Sequence, residues 1–422
     1  MTENEPVGES PDEERASDEE LPNASTSPAD EDAAPDSSSA EQSPEQLAAE
    51  QAEAKEYGRV SLNLALVDMA LDFAFLTLFA LLAAKPIDLW LQQFSFLSGD
   101  GLLTLLMRLS VFLVIYIALH AGISVGLSFY RGFVVEHRYG LSNQTFGRWL
   151  WQYVKRITLT TIANLILMGG LYGVIWLTGN WWWLVAAGCA FVVAVLIGMI
   201  APVLILPLFV KYKPLDDEEL QSELAQLAEG TGLTIEGTYR LLLSEDTKKA
   251  NAMLAGLGKT RRVLLGDTLL DEFTTDEIKV VMAHEIGHHV FGHIWKMLLM
   301  SIPYTLVSFF LCHLALGWWL GDAYDLATSP LPIYAVAFLM LFLFVLGTLT
   351  GPLQNAMMRH FERQCDRYAL ERTQLADAYR GAFSKLARLN KADPDPPWLE
   401  VFLFDDHPPI AERLAMADEF RK

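Results

Sequence analysis

Six apolar runs, each long enough to cross the roughly 30 Å hydrocarbon core of a bilayer, dominate this chain of 422 residues. They lie near 62–84, 102–127, 157–178, 182–207, 298–320 and 331–351. A chain built this way has one broad option: a polytopic membrane protein made of helices. The connecting segments sort by charge. The 128–156 loop carries Arg131, Arg138, Arg148, Lys155 and Arg156, whereas 86–101, 179–181 and 321–330 carry no Lys or Arg. The positive-inside rule therefore puts the N-terminus, the 128–156 loop, the 208–297 region and the C-terminus in the cytoplasm. Six spans make that assignment self-consistent. Several spans hold polar groups: Asp68, Asp72, Arg108, His120, Asn164 and His313. Two readings stand for these. They pair with one another for packing, as Asp72 with Arg108, or they line a water-filled cavity.

The first 57 residues are of another kind. They hold 18 acidic residues against Arg15 and Lys55, with Tyr57 as their one aromatic. Most of the net charge of −21 sits there. Such a stretch buries too little apolar surface to fold, so a disordered, solvated acidic tail is predicted. It lacks the basic start and apolar run of a secretory signal.

The chemistry is concentrated in "VVMAHEIGHHVFGHIW", residues 280–295. Its apolar positions recur at helical spacing, and Thr274 with Glu277 just before it reads as a capping box. On a helix His284 and His288 share a face, about 5–6 Å apart, and two imidazoles so placed can share one tetrahedral zinc. Glu285 lies roughly 60° around the helix from His288, within reach of a water on the metal. This is H-E-x-x-H, two ligands and a general base. A metzincin would need Gly at 291 and His at 294; Phe291 and Ile294 exclude that class. His289 and His293 are predicted to point away from the metal face, as polar lining or solvent contacts without a ligand role.

A catalytic zinc needs a third protein ligand and an open position. After the sixth run comes "NAMMRHFERQCDRYA", residues 355–369, in which Glu362 and Asp366 share a helix face. Glu362 can ligate zinc, and Asp366 can accept the N–H of a ligand histidine and fix its tautomer. The competing reading is a solvated charge pattern with Arg359, Arg363 and Arg367. Cys365 is a softer candidate ligand. The cysteines, Cys189, Cys312 and Cys365, give no disulfide framework. "TYRLLLSED" at 238–246 and "RRVLLGDTLL" at 261–270 read as strands joined by a turn-rich link holding "NAMLAGLGKT". An exposed strand edge could take an extended peptide by β-augmentation; an ordinary structural hairpin is the alternative.

At this point the chain resembles the integral-membrane zinc proteases that include the type I CAAX prenyl protease. The matching pieces are "VVEHRYGLSNQT" at 134–145, "PLFVKYKPLDDEEL" at 207–220, "NAMLAGLGKTRRVLLGDTLL" at 251–270 and "DEIKVVMAHEIGHH" at 276–289. "NAMMRHFERQCDRYAL" at 355–370 and "HPPIAERL" at 407–414 complete the set, in family order across about 280 residues. The resemblance implies one zinc per chain at His284, His288 and Glu362, with Glu285 as base. It also implies a helical barrel around a hydrated chamber, the active site at its cytoplasmic end. Asn251, with Ala252 beside it, matches the family's substrate edge, and His407 matches a histidine near the site. The family's eukaryotic members are described with seven spans against the six counted here, and the acidic tail lies outside the family pattern.

The expected layout is then an acidic tail at 1–57, four membrane helices at 58–207, and a cytoplasmic α+β catalytic region at 208–297. A membrane hairpin at 298–351 follows, and then a segment at 352–422 with the third ligand. The expected activity is zinc-dependent endoproteolysis of the CAAX type. The expected partners are the bilayer and a peptide or protein substrate, prenylated or otherwise apolar-tailed, with no nucleic acid. A bacterial inner membrane and an endoplasmic reticulum both fit. A broad quality-control protease of the heat-shock type is the alternative. Intramembrane site-two-type proteases are excluded, because Asp276, Glu277, Lys279 and Lys296 keep the motif helix from being a span. A non-catalytic adaptor would have no need of Glu285.

Overall fold

In the computed structural model the described residues are 43–256, 261–321, 325–326 and 330–422. The chain first runs through α1 (Pro44–Leu78), α2 (Ala84–Leu91), α3 (Leu102–Phe129), α4 (Glu136–Arg138), α5 (Phe146–Thr178), α6 (Trp182–Ile200) and α7 (Leu206–Phe209). An α+β module follows: β1 (Tyr212–Pro214), α8 (Glu218–Ala228), β2 (Gly237–Leu241), β3 (Ala252–Ala255), β4 (Arg262–Gly266), α9 (Asp267–Leu270) and α10 (Thr275–Val290). Two long helices, α11 (His293–Leu320) and α12 (Ala335–Thr373), precede α13 (Ala376–Asn390), α14 (Trp398–Leu403) and α15 (Ile410–Phe420).

Among the described residues, five continuous helical stretches are long and apolar enough to cross a membrane: 44–91, 102–138, 146–209, 293–320 and 335–373. The third holds two of the six apolar runs. At 64 residues it is far longer than a bilayer requires. It is divided at Gly179, whose φ of 52° ends α5, and α6 then packs against α5. The spans meet through a shared apolar core around Phe79, Phe112, Tyr172, Trp182, Leu316 and Val336. Their outer faces leave Leu82, Leu103, Ile166, Leu177 and Leu349 exposed, as lipid-facing surface requires.

Two expectations for this half are corrected. Residues 1–42 of the tail lie outside the described residues, but 44–57 are helical, the first turns of α1. Packing overrides composition there. Ala54 is buried, Glu56 bonds Arg138 and the Tyr139 hydroxyl at 3.1 and 2.9 Å, and Glu53 pairs with Lys391. The pairing of polar groups also differs. Arg108 lies 3.3 Å from Asp88 and donates to the Leu97 carbonyl, while Asp72 meets His120 at 2.8 Å and Asp68 faces Arg131.

The sheet has the order β1-β2-β4-β3. β2 and β4 run parallel, Thr238 opposite Val263, so 238–246 and 261–270 do not form a hairpin. The link between them supplies β3, antiparallel to β4, with Met253 opposite Leu264. β3 is an edge strand. Leu224, Val263, Leu265, Ile278 and Met282 fill the layer between the sheet and α8 and α10. Thr274 caps α10 through a reciprocal bond set with Glu277. On its other side, Val280 and Ala283 pack on Ala369, Tyr379, Phe383 and Ala417. That second layer brings α12, α13 and α15 against the motif helix.

Candidate metal centre

α10 and α12 pack closely along the motif, and Gly287 is what permits it. A Cβ there would come within 3.2 Å of both the Cα and the Sγ of Cys365. With that approach, Glu362 and Asp366 of α12 face the histidines of α10. The His284 and His288 rings are 5.2 Å apart, the spacing of a helical i, i+4 pair. His284 Nε2 is 3.1 Å from Glu362 Oε2, and His288 Nε2 is 3.1 Å from Glu362 Oε1. His284 Nδ1 bonds Asp366 Oδ1 at 2.9 Å.

The residues fit a metal ion. Nitrogen and oxygen ligands on tetrahedral zinc sit about 3.3 Å from one another, close to the spacing found. Glu362 is 2% exposed, and its Oε2 makes no well-directed hydrogen bond despite two imidazole nitrogens nearby. An orphaned carboxylate oxygen facing two ring nitrogens is the signature of a cation position. His284, His288 and Glu362 converge as such a group, their ligand atoms all within 4.8 Å. Burial alone would lower the pKa of His284. The Asp366 and Glu362 carboxylates reverse this and push it up to about 9. A metal ion would take the place of that proton.

Glu285 lies on the neighbouring face, and its Oε2 accepts from the backbone N–H of Leu254 at 3.2 Å. The edge strand β3 therefore runs beside it. Ala252 opens that strand and Asn251 precedes it, the Asn251 carbonyl accepting from Gly266 N–H at 2.9 Å. His407 approaches from the loop before α15, Nε2 3.4 Å from Glu362 Oε2 and Nδ1 2.6 Å from Asp406. Its bond to Asp406 raises its pKa against the opposing effect of burial. Asn251, Ala252, His284, Glu285, Asp406 and His407 line a common cleft of about 500 Å³.

Arg413 is a residue of the site that sequence reasoning does not single out. Arg413 of α15 is buried, and its Nη2 donates to Asp366 Oδ1 at 2.5 Å. Its guanidinium lies 3.8 Å over the Phe383 ring. Burial opposes its charge, but Asp366 outweighs that and raises the pKa above the ordinary arginine value. Arg413 thus neutralises a carboxylate that would otherwise be buried alone. Its one sequence signal is membership of "HPPIAERL". His289 stays off the metal face, packed on Arg261. His293 corrects the expectation of a solvent contact: it is 0% exposed, and its Nδ1 is 3.1 Å from His288 Nδ1. Cys365 Sγ lies 3.6 Å from that same His293 nitrogen, outside the His284, His288 and Glu362 group.

Comparison with known proteins agrees with this geometry. Residues 214–421 match the model of peptidase family M48. Residues 30–211 match that of the CAAX prenyl protease N-terminal region, described by five membrane helices. The chain is 27% identical over 383 residues to the uncharacterized metalloprotease YhfN of Bacillus subtilis (strain 168), covering 88% of this chain and 86% of that one. It is 29% identical over 326 residues to CAAX prenyl protease 1 of Saccharomyces cerevisiae, covering 73% and 71%. The crystal structure of S. mikatae Ste24p superposes with a TM-score of 0.68 at 25% identity, over 86% of this chain and 89% of that one. Helical membrane spans, a sheet with an edge strand at the motif helix, and two family models that divide nearly the whole chain between them lead to one conclusion: this is a multi-pass integral membrane metalloprotease of peptidase family M48, of the CAAX prenyl protease type.

Proposed function

We propose that this chain is a zinc-dependent endopeptidase that cuts extended peptides near an apolar, C-terminally lipidated end. The observation that carries this reading is the Leu254 N–H to Glu285 contact of 3.2 Å. It supports the reading by joining the strand edge to Glu285, which lines one cleft with His284. His284 Nε2, His288 Nε2 and one or both Glu362 oxygens would hold the ion. When bound, zinc supplies a Lewis acid for the scissile carbonyl and lowers the pKa of a water. A peptide main chain lies along β3 from Asn251, taking the open hydrogen-bonding edge. Glu285 takes a proton from the attacking water and delivers it to the leaving amine. Asp366 holds His284 by its Nδ1–H, so that Nε2 keeps its lone pair for the ion. His407 Nε2, beside Glu362, is aimed into the cleft and supplies a donor for the developing oxyanion.

Charge in the loops supports a cytoplasmic site and cytoplasmic termini. The relatives named CAAX prenyl proteases support a prenylated substrate. A prenyl chain contributes about 0.8 kcal/mol for each buried CH₂, less what its own partitioning into the membrane returns. The test is kcat/KM for one peptide sequence with and without the prenyl group, in the same detergent. At least a tenfold preference for the prenylated form is expected. Equal values would replace this reading with a broad membrane quality-control protease.

A further inference from the structure

α10 ends at Val290, and Gly292 beyond it adopts the left-handed conformation at φ 64° and ψ 33°. The next residue, His293, starts α11, and the turn carries its side chain back under the motif helix. There the ring is fully buried, stacked on Phe361 with centroids 4.2 Å apart and planes at 12°. Its Nδ1 is 3.1 Å from His288 Nδ1, and its Nε2 is 3.0 Å from Gln364 Oε1. The Gln364 amide nitrogen lies 3.3 Å from His360 Nε2.

With Gln364 Oε1 toward His293 and its amide nitrogen toward His360, the contacts assign the protons. A carbonyl oxygen only accepts, so His293 Nε2 carries the hydrogen it gives to Gln364. The partners of His293 are the Gln364 amide, the His288 ring and, at 3.6 Å, the Cys365 thiol, none of them a carboxylate that would hold a charged imidazole. Its Nδ1 is then an acceptor. A nitrogen-to-nitrogen contact of 3.1 Å needs one proton between the rings, and that proton belongs to His288 Nδ1. His288 Nε2 is left with its lone pair, facing Glu362 at 3.1 Å.

We propose that His293 and Gln364 are positioning residues for the metal, a two-member relay that fixes the tautomer of His288 as Asp366 fixes that of His284. This rests on His284, His288 and Glu362 being the ligands. The two ligand histidines are therefore oriented by different means. His284 gives its proton to a carboxylate backed by Arg413, and His288 gives its proton to a chain of neutral groups. A rival use of the same place exists, because His288, His293 and Cys365 also lie close enough to hold a cation. That use requires both facing Nδ1 atoms to be unprotonated.

The experiment is zinc affinity of the purified full chain by chelator competition, with the visible spectrum of the cobalt-substituted protein as a second readout. His293→Phe keeps the stack on Phe361 and removes the acceptor; a 10–100-fold loss of zinc affinity and an altered cobalt spectrum are expected. Gln364→Met should lose affinity in the same direction, while Gln364→Glu, which still accepts from His293, stays within about threefold of wild type. This Gln364 pair decides the matter even where His293→Phe does not fold, since packing alone would not separate Met from Glu in that order. Wild-type affinity in Gln364→Met overturns the relay. So does a second zinc equivalent that Cys365→Ala removes. Wild-type zinc binding in His288→Ala or Glu362→Ala would instead overturn the ligand assignment itself.

Discussion

The backbone N–H of Leu254 donates to Oε2 of Glu285 across 3.2 Å, so an edge-strand amide and the proposed general base already touch. A carboxylate accepting a main-chain hydrogen bond is held in place for proton transfer without being spent as a ligand. This separates the base from the metal group and leads to the first prediction.

Glu285→Gln should keep one zinc per chain and lose nearly all hydrolysis, a fall of at least about a hundredfold in kcat for loss of a general base. The amide oxygen of glutamine still accepts from Leu254, so local structure is retained. Metal analysis alongside peptide turnover checks it; zinc lost together with activity would make Glu285 a ligand.

Glu362→Ala should empty the site, and Cys365→Ala should not. Glu362 faces both His284 and His288 at 3.1 Å, whereas Cys365 sits behind them against His293. Zinc stoichiometry by elemental analysis decides. Full occupancy in Glu362→Ala would move the third ligand elsewhere.

The acidic tail should divide functionally at the start of α1. Deleting residues 2–42 should leave turnover of a short peptide within a fewfold of wild type. Deleting 2–56 removes Glu53 and Glu56 and so the ties to Lys391, Arg138 and Tyr139. Each exposed pair contributes at most about 1 kcal/mol, so the unfolding midpoint should drop by only a few degrees. Thermal unfolding of both truncations tests this. A tenfold fall in turnover on removing 2–42 alone would show that the tail builds the site.

Glu400 lines the same cleft. Its burial, reinforced by Asp405 and Asp393, pushes the carboxyl up to about 7. Its Oε2 is buried without a hydrogen bond. Between the ordinary value of 4.5 and about 7 the folded chain holds a proton that the unfolded chain has released. Stability therefore falls as pH rises through that window and levels off above it. Glu400→Gln should flatten this slope. Unfolding midpoints of both proteins at pH 5 and pH 8 give the comparison; parallel curves would exclude Glu400 as the source.

Much of the site is legible in the sequence because the controlling geometry is local. His284, Glu285 and His288 stand in fixed relation on any helix, and the Thr274 and Glu277 cap marks where that helix begins. Glu362 and Asp366 are legible as a pair on one face, but their meeting with α10 depends on Gly287 and the packing of α12. His293 is misread because helical projection assumes an unbroken helix, and Gly292 breaks it one residue earlier. Arg413 and the Leu254 amide are invisible for a related reason: each reaches the site from an element whose placement is a tertiary fact. In the membrane half the apolar runs are plain, while the partners of Asp72 and Arg108 depend on how each helix is rotated, which hydropathy does not encode. β3 is hidden because four residues, "AMLA", in a glycine-containing link give little alternation to read.

α12 runs unbroken from Ala335 to Thr373, first as a lipid-facing rod and then as the carrier of Glu362. Pro352 lies inside the helix, between the apolar rod and Glu362. Glu362 stands roughly 15 Å beyond that proline at the helical rise, so a change of about 4° in the outer arm displaces its carboxylate by about 1 Å. Membrane thickness sets helix tilt. One continuous helix thus joins the apolar span to the carboxylate facing His284 and His288, and zinc affinity measured in bilayers of two thicknesses tests whether tilt at one end reaches the other.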